Sequence, residues 1–160
     1  MLDVETEKKL KVLEQFTEKE FNEAFNAVWK KLTINLQSAE QPIGIITGGA
    51  PGSGKSAFIK EASIKLDDNI IPVNGDEFRV YHPRFKEIVS LAKGDFPTYT
   101  GSFSGKMVEK IISESIKQRY NIIVEGTFRT ADTPIKTLQE MKSAGYKTIA
   151  KVKAVNADVA

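Results

Sequence analysis

Gly49-Ala50-Pro51-Gly52-Ser53-Gly54-Lys55-Ser56 follows the apolar run Ile43-Gly44-Ile45-Ile46 and precedes the helix-like stretch Ala57-Phe58-Ile59-Lys60-Glu61-Ala62. The stretch fits G-x-x-x-x-G-K-[ST], with the preceding strand and following helix that this phosphate-binding pattern requires. Glycines let backbone N–H groups turn inward around an anion, because no Cβ blocks positive φ or the close approach of a phosphate. Lys55 would bring a point charge to the β- and γ-phosphates of a nucleotide. Ser56 would offer a hydroxyl to Mg²⁺, and the helix beyond would point its positive end at the same place. A glycine-rich turn could merely link strand to helix, but the coincidence of fixed residue types and flanking elements favours nucleotide binding.

The rest of the chain fits one α/β domain around that loop. With 160 residues and 41% hydrophobic content there is enough material for a core. The 23 basic residues nearly balance the 21 acidic ones, and no basic block reads as a nucleic-acid arm, so a nucleic-acid partner is not expected. The absence of cysteine excludes disulfides and thiolate metal sites. Met1-Leu2-Asp3-Val4-Glu5 opens neither a secretory signal nor a membrane span, so a soluble cytoplasmic protein is expected.

Residues 1–41 read as an N-terminal helical extension and residues 42–160 as the phosphate-loop core. In the extension, Leu10, Leu13 and Phe16 mark a first helix. Thr17-Glu18-Lys19-Glu20 then resembles a capping box, and Phe21, Phe25, Val28, Trp29 and Leu32 make one apolar face. In the core, Ile59, Ala62 and Leu66 give the helix after the loop a buried side. Ile70-Ile71-Pro72-Val73-Asn74 reads as an edge strand, because Pro72 lacks a ladder donor. A short helix is expected around 86–92, a loop over Gly94–Gly101, and a helix over Ser102–Gln118 with Val108, Ile111, Ile112 and Ile116 on one side.

Asn121-Ile122-Ile123-Val124-Glu125 has the continuous apolar character of a strand buried on both faces. Thr133-Pro134 is expected to cap the next helix, with Pro134 at its first position and Gly145 closing it. Thr148–Val155 is the last strand, with Lys151 and Lys153 expected to be exposed on one face. Alternating strands and helices imply a parallel sheet flanked by helices, with ligands at the strands' C-terminal ends. Gly49–Ser56, Asp76 and Glu125 all belong to that edge.

Phosphoryl transfer requires positioning, charge neutralisation and a group that takes the proton of the attacking hydroxyl. Asp76, just past the second strand, suits that base; it would equally cap a helix starting at Glu77. Glu125 stands where an acid orients Mg²⁺ or its water, or it is a solvated strand end. Thr127 and Arg129 follow on the same rim, where Arg129 could clamp a phosphate. Glu109 borders the apolar stripe of its helix and could turn into a cleft or edge the core. His82 reads as structural, since no second histidine exists to share a metal. A GTPase switch is disfavoured, because neither an Asp-x-x-Gly after a strand nor an Asn-Lys-x-Asp guanine reader is present.

Taken together, Gly48–Ser56, Asn74-Gly75-Asp76-Glu77-Phe78-Arg79 with His82-Pro83, and Tyr120-Asn121-Ile122-Ile123-Val124-Glu125-Gly126-Thr127-Phe128-Arg129-Thr130 resemble the zeta toxin family. The resemblance runs from about Pro42 to Val155, and the Glu-Gly-Thr-x-Arg block is more specific than the phosphate loop alone. It implies a kinase of a toxin–antitoxin system, with ATP or GTP as donor and Mg²⁺, that phosphorylates the 3′-hydroxyl of the amino sugar in UDP-N-acetylglucosamine. It further implies Lys55 and Ser56 at nucleotide and metal, Asp76 as base, and Glu109, Glu125, Thr127 and Arg129 around the sugar nucleotide, with Glu125 close to the metal. A partner antitoxin is also implied. Family members continue beyond the equivalent of Val159 into a lid whose arginines contact the γ-phosphate, so this chain is expected to be a piece with little kinase activity. The alternatives are a phosphate-loop kinase for a nucleoside, another sugar or a nucleic-acid end, and a fragment that only binds nucleotide or antitoxin.

Overall fold

Four parallel strands carry the architecture, and a computed structural model of the chain describes residues 2–49, 55–126 and 132–153. The elements are helices α1 (Val4–Leu13) and α2 (Glu18–Thr33), strand β1 (Ile43–Gly49), helix α3 (Lys55–Lys65), strand β2 (Ile71–Asn74), and helices α4 (Gly75–Phe78), α5 (Phe85–Ala92) and α6 (Phe96–Gln118). Strand β3 (Ile122–Glu125), helix α7 (Asp132–Ser143) and strand β4 (Lys147–Lys153) complete them, with single 3-10 turns at Arg79–Tyr81 and Lys93–Asp95. The chain divides into two compact units, Met1–Lys31 with Gly75–Lys110 and Leu32–Asn74 with Ile111–Ala160.

The second unit holds the sheet, in the order β2-β3-β1-β4, with every pairing parallel. The strand with Pro72 lies at an edge, as its missing donor requires. Ile122 and Ile123 of β3 have no exposed surface, which fits an interior strand covered on both faces. Alternation along β1 divides its side chains between two helical layers. Ile43 and Ile45 pack with Phe58, Ile59, Ala62 and Leu66 of the α3 segment. Gly44 faces α7, where an added Cβ would lie 2.2 Å from Met141 Sδ, so only glycine permits the helix to approach this closely.

Asn121 fixes the strands' register. Its Oδ1 accepts the Ile43 N–H at 2.8 Å and its Nδ2 donates to the Asn69 carbonyl at 2.9 Å, while its own carbonyl accepts the Ile71 N–H at 2.8 Å. One buried residue thereby ties the starts of β1 and β2 to β3. Nearby, the buried Tyr146 hydroxyl lies 2.9 Å from the Ser115 carbonyl and 2.7 Å from that of Tyr120. Burial pushes this phenol up to about 12, so it stays a proton donor to those carbonyls.

Two expectations about α7 and β4 are corrected. Helix α7 starts at Asp132, so Pro134 is its third residue; this is tolerated because the first-turn N–H groups have no intrahelical acceptor. Gly145 does end the helix, with φ +87° and its N–H donating to the Lys142 carbonyl at 3.0 Å. Lys151 is half-buried rather than exposed: its Nζ lies 3.4 Å from Glu61 Oε1 and 5.5 Å from the centre of the Phe58 ring. Its aliphatic stem covers the sheet while its head finds an acid, which reconciles a lysine with an inward strand position. β4 runs over Lys147–Lys153; residues 154 and 155 lie outside the described residues.

In the first unit, α2 buries Phe21, Phe25 and Val28, and Trp29 stacks on Phe25. The capping box forms as expected: Glu20 N–H donates to Thr17 Oγ1 at 3.0 Å and Thr17 N–H to Glu20 Oε1 at 2.9 Å. Phe16, Phe21, Phe103 and His82 form an aromatic cluster in which every ring contact but the tilted Phe16–Phe21 is edge to face. His82 is buried and structural. The Arg84 N–H is an obligatory donor to its Nδ1 at 3.0 Å, so its Nε2 carries the proton and donates to the Glu14 carbonyl at 2.9 Å. Arg84 donates to the Leu13 and Gln15 carbonyls and forms an ion pair with Glu20 at 2.9 Å. Two side chains thus satisfy three consecutive carbonyls of the α1–α2 turn.

The expected loop over Gly94–Gly101 is instead a 3-10 turn followed by the first residues of α6, which begins at Phe96. Asp95 is of the type favoured just before a helix and accepts Thr98 Oγ1 at 2.9 Å, and Pro97 sits harmlessly in the first turn. Helix α4 likewise starts at Gly75, so Asp76 lies inside its first turn rather than capping a helix that begins at Glu77.

Replacing Asn121 with Leu should leave the Ile43 N–H and Asn69 carbonyl unpaired and lower stability by about 2–4 kcal/mol, measured by urea unfolding. Acid should weaken the fold in two stages. Burial holds the folded His82 pKa below its ordinary 6.5, so the unfolded chain takes up its proton first and stability declines as pH falls through that range. Hydrogen bonding from Arg84 holds Glu20 down at about 2, so its contribution is present above about 4.5 and fades as pH falls toward 2. Unfolding midpoints measured from pH 7 to 3 should show both slopes, with His82→Gln flattening the first and Glu20→Gln the second.

Candidate functional site

Parallel strands carry their C-terminal ends on one rim, and two candidate segments of the second unit, the one after Gly49 and the one ending β3 at Glu125, lie there. β1 ends at Gly49 and α3 begins at Lys55, so the intervening residues span the step from strand to helix that a phosphate cradle needs. Ala50, Pro51, Gly52, Ser53 and Gly54 lie outside the described residues, as do the side chains of Lys55 and Ser56. The helix they open is firmly seated by Phe58, Ile59 and Ala62 against Ile45 and Ile123. The Glu61–Lys65 and Glu61–Lys151 ion pairs fasten its outer side. Both lysines hold the Glu61 carboxyl below the usual range, with the Lys65 hydrogen bond the larger influence.

Glu125 closes β3 on the same rim. It stands opposite Thr47 of β1 on one side and Asn74 of β2 on the other. Thr47 is fully buried, its carbonyl accepts the Gly126 N–H at 3.0 Å, and its hydroxyl lies 3.5 Å from the Val124 carbonyl. The half-buried Glu125 is therefore held in a regular ladder up to the point where the chain leaves the sheet. Thr127 and Arg129 lie outside the described residues. Among the described residues no group of three or more His, Asp or Glu side chains could hold a metal ion. A single rim carboxylate still suits Mg²⁺, which usually keeps waters and takes only one or two protein carboxylates beside substrate phosphates.

Asp76 and Glu109 belong to the first unit. Asp76 follows Asn74, the ladder partner of Glu125, by two residues, and its side chain is 84% exposed. The Gly75 carbonyl beside it accepts Ser104 Oγ of α6 at 2.8 Å. Gly75 has little room for a side chain, since a Cβ would meet Ser104 Oγ at 3.2 Å and Val108 Cγ2 at 3.4 Å. Glu109, one residue after Val108, is exposed. Arg79 received no role from the sequence, yet its Nε donates to Asp76 Oδ1 at 3.2 Å. The spacing of three residues on a helical turn was the signal that could have found it.

The Zeta toxin family model matches residues 26–160. Toxin PezT of Streptococcus pneumoniae is 37% identical over 135 residues, covering 84% of this chain and 53% of that protein. Toxin zeta of Streptococcus agalactiae is 36% identical over 140 residues, covering 88% of this chain and 49% of that protein. The chain thus spans about half the length of the curated relatives it matches. A solved structure from work on the PezAT chromosomal toxin–antitoxin system of Streptococcus pneumoniae superposes with a TM-score of 0.87 at 34% identity, covering 92% of this chain and 61% of that one. A candidate kinase of Chloroflexus aurantiacus, at 18% identity and a TM-score of 0.53 over 72% of this chain and 61% of that one, shares the fold. With the strand ending at Gly49, the helix beginning at Lys55, the Glu125 rim and the family match over most of its length in agreement, this chain belongs to the Zeta toxin family.

Proposed function

We propose that this chain carries the nucleotide cradle and base of a toxin kinase that transfers the γ-phosphate of ATP, or GTP, to the 3′-hydroxyl of the amino sugar in UDP-N-acetylglucosamine. The observation that carries the proposal is the rim of the second unit. There Gly49 leads to Lys55 at the start of α3, beside Glu125 at the end of the neighbouring strand, within a chain that the family model matches from residue 26 onward. In this reading the Gly49–Ser56 backbone wraps the β- and γ-phosphates and Lys55 neutralises their charge. Ser56 and Glu125 would hold Mg²⁺, whose charge offsets that of the phosphates.

Asp76 accepts the proton of the attacking hydroxyl. The new bond joins the sugar oxygen to the γ-phosphorus while the bond from that phosphorus to the β–γ bridging oxygen breaks, and the nucleoside diphosphate leaves. A strongly exposed carboxylate is a weak base, yet it needs only to receive the proton as oxygen–phosphorus bonding develops. Glu109, Glu125, Thr127 and Arg129 contact the sugar nucleotide, where Arg129 suits a bidentate grip on phosphate. An antitoxin partner follows from the toxin–antitoxin context of the PezAT relative. The substrates place the reaction in the cytoplasm, and no described helix is long and apolar enough to cross a membrane.

The test is product analysis with ATP, Mg²⁺ and a panel of acceptors, using this chain and the same chain continued to the length of its relatives. Phosphate is expected on the amino sugar of UDP-N-acetylglucosamine; product on non-sugar acceptors alone would remove this reading. Lys55→Ala should weaken ATP binding at least about tenfold by calorimetry. Asp76→Asn should bind ATP normally yet lower kcat by about 10²- to 10⁴-fold, and a variant that keeps most of its kcat would overturn the base assignment.

A further inference from the structure

We infer that Arg79 is a positioning residue for the Asp76 carboxylate, anchored by the first turns of α6; this rests on the kinase reading, in which Asp76 is the base. The two side chains differ in a way that suits such roles, since Asp76 is 84% exposed and Arg79 only 20%. An exposed aspartate has several rotamers open to it, and a freely moving base would spend much of its time out of line.

The guanidinium limits that freedom because it is itself held elsewhere. Its Nη1 donates to the Pro97 carbonyl at 2.8 Å and to Thr100 Oγ1 at 2.9 Å, while its Nε reaches Asp76 Oδ1 at 3.2 Å. Thr100 is fully buried, and its hydroxyl donates back to the Phe96 carbonyl at 3.1 Å. The acceptor that anchors the arginine is thus fixed by the helix it belongs to. Holding the carboxylate requires little further ordering of the arginine, whose planar fork is already in place.

The backbone on the other side of the aspartate is fastened to the same helix. Ser104 Oγ donates to the Gly75 carbonyl at 2.8 Å, and a methyl group at Gly75 would crowd that same oxygen, 3.2 Å from an added Cβ. Gly101 has only ordinary van der Waals room beside Arg79 Nη1, at 3.9 Å from an added Cβ. Pro97, Thr100 and Ser104 therefore form a rail along α6 that grips residues 75 and 79 on either side of the base. A lysine at 79 would keep the charge and lose the fork that engages the helix and the carboxylate together.

Kinetics with saturating ATP and acceptor test the inference in the kinase continued to the length of its relatives. Arg79→Ala and Arg79→Lys should each lower kcat about 10- to 100-fold while the KM for ATP stays within about twofold. Thr100→Val, which removes the hydroxyl anchor at nearly constant shape, should lower kcat in the same direction with an unchanged far-UV spectrum. Against an Asp76→Asn background, Arg79→Ala should add little further loss, because its role runs through that carboxylate. The Arg79 Nε–H resonance should also shift on Asp76→Asn, a readout independent of turnover. Arg79→Ala at full kcat, or losses that multiply fully in the double variant, would overturn the positioning role. Failure of the base assignment would look different: Asp76→Asn itself would turn over at the full rate.

Discussion

The sheet depends on one buried amide. Asn121 meets an N–H at the start of β1 and a carbonyl just before β2, while its own carbonyl receives the first N–H of β2. Parallel strands have no hairpin turn to set their register, so some other group must do so, and a one-residue slip would exchange the two faces of a strand. In β1 that slip would turn Gly44 away from Met141 and press an isoleucine into a space with no room for it. The rim then follows from the register, because Glu125 lies beside Thr47 and Asn74 only when Ile122 lies beside Gly44 and Ile71.

A comparable economy holds the α1–α2 turn. Three successive carbonyls there would be poorly placed for any ladder, and His82 and Arg84 take all three through side chains from a distant part of the sequence. Backbone groups deprived of water must be paired, and here the pairing explains a histidine with no chemical task. The same arginine draws Glu20 into a dual role, as capping acid for α2 and as counter-ion. Such shared duty lets a short turn be tied down from one side.

Much of this was legible because it rests on local rules. The strand ending at Gly49, the helix starting at Lys55, the apolar run Ile122–Val124, the edge position of Pro72 and the Thr17–Glu20 box all follow from residue type and spacing. What was misread depends on partners remote in sequence. The breakers between Gly94 and Gly101 suggested a loop, yet Pro97 and Gly101 lie within α6, whose start is braced by Asp95 and Arg79. Lys151 was expected to be exposed, and it is the remote Phe58 and Glu61 on α3 that half-bury it. Asn121 carried a family resemblance without a reason, and its reason is three hydrogen bonds spread over residues 43 to 121.

The two margins of the sheet are unequal in what they leave open along the described strands. β2 has four residues including a proline, so it offers few donors to an incoming strand. β4 has seven residues without a proline and pairs with β1 along its whole length, leaving its outer side unpaired among the described residues. Among the described residues, an added strand would therefore meet more open backbone donors and acceptors along β4 than along β2, with the exposed Lys147 at its start.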